Sequence, residues 1–224
     1  MTRASNQIFS SIVVLFLLTG FAASVSAQSQ KTWSPEFYFG IPKDTYQMVF
    51  NEPFDDNQRG WNMNPKGASV DIREGDLHIA SRNNHGVAIN RFSPISQAGN
   101  YEIEMHMRFV RGGLDQPFGM VFGADQTGQR YEFLINANGR CQVRAVTKNG
   151  VKAYTGWMPQ ALFGRYVYNT LTLRKINDSW YFFLNRNKVL QMNAEPFFGF
   201  EFGVAAWGDI TAEFDFLNIQ TIRK

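Results

Sequence analysis

Apolar and polar residues alternate with a period of two along most of this chain, and YEIEMHMRF (residues 101–109) shows the pattern plainly. Ile103, Met105, Met107 and Phe109 fall on one face, while Glu102, Glu104, His106 and Arg108 fall on the other. Alternating segments recur at 70–73, 77–81, 86–91, 118–123, 130–136, 141–146, 169–175, 180–184, 188–192, 200–207 and 211–219. Turn residues separate them: Glu74-Gly75-Asp76, Asn138-Gly139, Asn149-Gly150 and Asn177-Asp178. No window keeps a helical period beyond one short turn at 160–166. The expected fold is an all-β, two-sheet antiparallel β-sandwich of jelly-roll type.

The N-terminus breaks the pattern. One arginine, an apolar run from Ile8 to Ala23 and the small residues Val25-Ser26-Ala27 read as a cleaved signal peptide over 1–27. The run falls short of a membrane span, so the mature form is expected to have none and to be secreted or periplasmic. Residues 28–46 hold Pro35, Pro42, Trp33, Phe37, Tyr38 and Phe39, and read as a leader that packs on the domain, 47–224.

Composition narrows the partners. The chain has 22 basic and 19 acidic residues among 224; removing Arg3 leaves 21 against 19, or +2, too little and too dispersed for nucleic acid. Cys141 is the only cysteine and alternates with Val143 and Ala145, so it reads as a buried thiol.

Several segments together resemble the concanavalin A-like lectin/glucanase jelly rolls of the laminin-G-like kind. FNEPFDDNQRGW (50–61) is similar to their opening strand, and YEIEMHMRF to their "f-e-i-e-a-x-i" strand. PFGMVFG with RYEFLINANG, YNTLTLRKINDSWYFFLNRNKV and FGVAAWGDITAEFDFLNI are similar to later ones. The resemblance covers about the whole mature domain. It implies a curved sheet whose concave side binds sugars, with Glu102, Glu104, His106 and Arg108 facing outward from it. It also raises a structural calcium between the first and last strands, for which Glu52, Asp55, Asp56 and Asp215 are the candidate ligands; those aspartates equally suit ordinary turns.

Retaining glucanases of this superfamily carry E-[ILV]-D-x-x-E on one strand. Here Glu102, Ile103 and Glu104 are similar to its first letters, but Met107 stands where the acid/base glutamate belongs and cannot donate a proton. Glu132 and Glu201 are the candidates for a carboxylate arriving from another strand. A second polar face carries Arg130, Glu132 and Asn136 beside Arg140, Gln142 and Arg144. If its strands adjoin 101–109, one surface of carboxylates, guanidiniums and amides results, able to hydrogen-bond sugar hydroxyls or simply to be wet. Tyr154 and Trp157, beside Gly156 and Pro159, are the stacking candidates, whereas Trp61, Trp180 and Trp207 read as core.

These features point to a non-catalytic carbohydrate-binding or surface-interaction module without a cofactor. A glycoside hydrolase is the main alternative, and a module that contacts another envelope protein is the third.

Overall fold

The computed structural model describes residues 33–82, 86–92, 95–161 and 163–223. The signal-peptide expectation for 1–27 and the first leader residues, 28–32, lie outside them. Two antiparallel sheets face each other, as the alternation predicts.

The first sheet contains β1 (Tyr46–Glu52), β2 (Ala68–Arg73), β3 (Asp76–Ser81), β5 (Asn100–Gly112), β11 (Asn169–Ile176), β12 (Ser179–Leu184), β13 (Asn187–Asn193) and β15 (Ile210–Ile222). Its order is β13-β12-β11-β5-β15-β3-β2, with β1 also paired to β15. The second contains β4 (Val87–Phe92), β6 (Pro117–Ala124), β7 (Arg130–Asn136), β8 (Arg140–Thr147), β9 (Gly150–Ala153), β10 (Met158–Pro159) and β14 (Glu201–Ala206). Its order is β10-β8-β7-β6-β14-β4, with β9 on β8.

The connections explain the register. Glu74 and Gly75 both take positive φ, 55° and 79°, forming the two-residue turn whose twist matches a hairpin. Gly203 is required for a different reason: a Cβ there would sit 1.9 Å from the Ile89 carbonyl oxygen across the β14–β4 pair. The expected helical turn at 160–166 is absent from its described residues; a two-residue strand, β10, precedes a turn instead. Pro159 and the pairing of Met158 with Cys141 leave the backbone extended there.

Inward parity builds the core. Ile103, Met105, Met107 and Phe109 from β5 meet Phe118, Met120 and Phe122 from β6, Phe133 from β7 and Phe182 from β12 in one buried cluster. Trp180 is buried there too, its indole N–H donating to the Tyr101 hydroxyl at 3.0 Å. Trp61 is likewise buried, and its Nε1 donates to Glu52 at 2.7 Å. Cys141 is enclosed in the same core, and burial pushes its thiol up to about 11, as expected for an inert side chain. Among the described residues, no helix is long and apolar enough to cross a membrane.

Candidate ligand-binding face

β5 lies in the first sheet and β7 and β8 in the second, so the two polar faces of the sequence do not merge. They look outward on opposite sides of the sandwich. This corrects the expectation of one continuous surface, and it separates Glu132 and Glu201 from Glu102, ruling out the carboxylate pairings considered above. Strand parity is a local property; sheet membership is not.

The outer face of the first sheet is covered where Glu102 and Glu104 lie. Ile176, Tyr181, Phe183 and Ile222 also point outward there, an apolar patch that water would solvate poorly. The leader supplies the cover, with Trp33, Tyr38, Ile41 and Tyr46 packing on that patch. Arg174 of β11 fastens it: only 1% exposed, it donates from Nε to Glu102 at 2.6 Å, from Nη1 to the Pro35 and Phe37 carbonyls, and from Nη2 to the Tyr38 carbonyl. Glu102 also accepts from the Tyr46 hydroxyl at 3.2 Å. Burial pushes its carboxyl above the usual carboxylate range, with Arg174 as the chief opposing influence. Glu104 accepts from the Tyr38 hydroxyl and from Thr172. Both glutamates therefore secure the leader, and what remains beside it is a cleft of about 570 Å³ walled partly by Tyr38, Phe39 and Tyr46.

Farther along this face, His106 contacts Asp215 at 2.6 Å and stacks between Tyr168 and Phe216. A bulge between Phe214 and Phe216 turns Asp215 toward it. Arg108 pairs with Glu213 and lies over the Tyr168 ring, while Glu213 also meets His78 at 3.0 Å. Thus His106 and Arg108 face outward as expected, but they are bound into a cross-strand network.

Of the calcium candidates, Glu52, Asp55 and Asp56 line one surface cleft, and Asp215 is not among its lining residues. Glu52 is buried and accepts from the Phe54 amide and Trp61, with Arg59 3.4 Å away; Asp56 caps Gln58; Asp55 is exposed; Asp215 is taken by His106. Among the described residues no group of three or more His, Cys, Asp or Glu side chains could hold a metal ion. These residues do not fit a calcium site, and EDTA is expected to change the melting temperature by less than about 2 °C. A large drop reversed by Ca²⁺ would contradict this.

The second sheet brings four of the sequence candidates together. Across it, the register sets Arg144, Glu132, Val121 and Gly203 in one row, and Gln142, Leu134, Gly119 and Ala205 in the next. Parity turns these outward, opposite Cys141, Val143, Phe133 and Val204. Trp157, just before β10, flanks the second row and packs with Trp207 on Val121, Leu134 and Ala205. At the centre, Glu132 is 0% exposed. Its Oε1 accepts from Arg130 Nε at 2.7 Å and its Oε2 from Arg144 Nε at 2.6 Å.

Trp207 is a correction to the sequence reading. It is not core but lies across this outer face, with the Arg130 and Arg144 guanidiniums 5.1 and 5.7 Å from its ring. Arg144 and Trp207 belong to lines of chain three strands apart, roughly 14 Å across at ~4.8 Å per strand, so their side chains lean toward one another. Parity carried the signal: Trp207 shares the face of Gly203 and Ala205, not that of Phe202, Val204 and Ala206. Tyr154 is also displaced from its expected role, since it packs on the core cluster and donates to Glu195, which Lys152 and Tyr131 also contact.

No protein-family model and no curated protein matches this chain. Solved structures do. It superposes on the carbohydrate-binding module CBM66 from Bacillus subtilis with a TM-score of 0.58 at 16% identity, covering 75% of this chain and 99% of that one. The catalytic domain of a laminarinase from Thermotoga maritima matches with a TM-score of 0.57 at 11% identity, over 80% of this chain and 99% of that one. The CBM2 module of the evolved Dit of Lactobacillus casei BL23 phage J-1 matches with a TM-score of 0.56 at 10% identity, over 80% and 97%. The fold is the concanavalin A-like jelly roll.

Proposed function

We propose that this jelly roll is a non-catalytic carbohydrate-binding module whose ligand lies on the outer face of the second sheet. The observation that carries this reading is the convergence of Arg130, Glu132, Arg144 and Trp157 with Trp207 on that one face. Sugars need flat apolar surface for their C–H faces and forked donors for their hydroxyls, and this face offers both. Similarity in fold to carbohydrate-binding modules and to a laminarinase supports a carbohydrate ligand without choosing between binding and hydrolysis.

Two features favour binding. Glu132 is enclosed, with an arginine Nε–H on each oxygen, so it is poorly placed to protonate a glycosidic oxygen. Glu102 and Glu104, the remaining adjacent pair, hold the leader. The apolar run before residue 28 supports export, which would place the module where extracellular or periplasmic glycans are met. Phe37 and Phe39, 65% and 70% exposed on the docked leader, favour a second reading in which that segment contacts another protein.

The test is a glycan-binding panel. Trp157→Ala and Trp207→Ala are each expected to weaken binding at least tenfold, about 1.4 kcal/mol, with no release of reducing sugar by the wild type. Unchanged binding in both folded variants would remove the second sheet as the ligand face.

A further inference from the structure

Two guanidiniums flank one carboxylate on β7 and β8, and on these two strands the charges do not cancel; Glu201, outward on β14, is two strands from Arg130 and forms no described ion pair with it. Glu132 is the acidic outward residue of β7 and β8, whereas Arg130, Arg140 and Arg144 are the basic ones. A purely structural pair would need one arginine for one glutamate. The surplus positive charge lies where the side chains are mostly buried, 12% exposed for Arg130 and 18% for Arg144. Such a charge is costly to leave without a counter-charge.

The unused donors are specific. Glu132 takes only the Nε–H of each arginine, and Gly128 takes Nη1 of Arg130 at 2.6 Å. Both Nη groups of Arg144 are without a partner among the described residues. They are absent from the buried polar atoms that lack a partner, so they reach solvent. Arg140, four residues away on the same face, is exposed and has no described ion pair.

The Arg144 fork is also fixed in orientation. Its Nε is anchored on Glu132 and its plane lies near the Trp207 ring, so little side-chain entropy remains to be lost when the Nη1–Nη2 edge takes a ligand. That edge matches the two oxygens of a planar carboxylate.

We infer that the ligand is an acidic saccharide, a uronate-bearing glycan whose carboxylate is taken by the Arg144 fork. This rests on the second-sheet reading above. It is distinct from a neutral sugar held only by stacking and hydroxyl contacts.

The experiment uses matched polymers. Full-length mature protein is run by affinity electrophoresis and calorimetry against alginate and polygalacturonate, against the same polymers after carboxyl reduction, and against dextran sulfate. The expected result is at least tenfold tighter binding to one uronate polymer than to its carboxyl-reduced form. Arg144→Lys, which keeps the charge but not the fork, is expected to lose most of that preference while melting near wild type.

Equal binding to the carboxyl-reduced polymer overturns the acidic-ligand inference; if Trp207→Ala abolishes that binding, the ligand-face reading survives. Tighter binding to dextran sulfate than to either uronate polymer overturns the carboxylate assignment. A uronate preference unchanged in Arg144→Lys overturns the role of the fork. Binding to uronate that is insensitive to Arg144, Trp157 and Trp207 substitutions removes the face and the inference together.

Discussion

Arg174→Ala is expected to lower the unfolding free energy by ~3–5 kcal/mol and the melting temperature by roughly 6–20 °C, because it strips the partner from a buried ion pair. Glu102 would be left enclosed without its guanidinium, and the Pro35, Phe37 and Tyr38 carbonyls would lose their donor. The leader should then become the first point of proteolytic cleavage, which mass spectrometry would locate within residues 33–46. The double variant Glu102→Leu with Arg174→Met separates the two losses. Replacing the pair by apolar groups of similar size should recover much of the sheet's stability, while the leader, still lacking its donor, should remain protease-sensitive. Melting of Arg174→Ala within a few degrees of wild type would show that the leader is held by its aromatic contacts alone.

Glu132→Ala should cost a comparable ~3–5 kcal/mol, for the converse reason. It removes the carboxylate between Arg130 and Arg144 at a site with no exposure, leaving two guanidiniums facing one another. Glu132→Gln should lose less, since its amide oxygen still accepts one Nε–H. The diagnostic is salt: added sulfate should raise the melting temperature of Glu132→Ala more than that of wild type, because an anion can enter the place of the carboxylate. Denaturation of both variants across sulfate concentration measures this, and an equal response in the two would contradict the proposed charge surplus.

The strands were legible because their cause is local. Residues 130–136 alternate Arg130, Glu132 and Asn136 against Tyr131, Phe133 and Ile135, and β7 spans Arg130–Asn136 with that division of faces. The β5 residues Ile103, Met105 and Met107 are buried inward as their spacing requires. Trp207 was readable by the same rule but misplaced, because its size argued for the core more loudly than its position argued against it. Arg174 offered no such clue: within TLTLRKI it looks like any outward polar residue of a strand.

Sequence by itself determined the all-β class, the turns and the face on which each strand residue lies, since a pleated backbone sends successive side chains to opposite sides whatever surrounds them. Only the tertiary structure decided which face was wet. Pairing between distant segments put β5 in one sheet and β7 and β8 in the other, so residues with similar alternation came to opposite sides of the sandwich. Docking of the leader then buried Glu102 and partly covered Glu104, while the lean of Trp207 across three strands gathered Arg130, Glu132 and Arg144 beneath it. Those outcomes depend on contacts between residues dozens of positions apart, and a period of two carries no record of them.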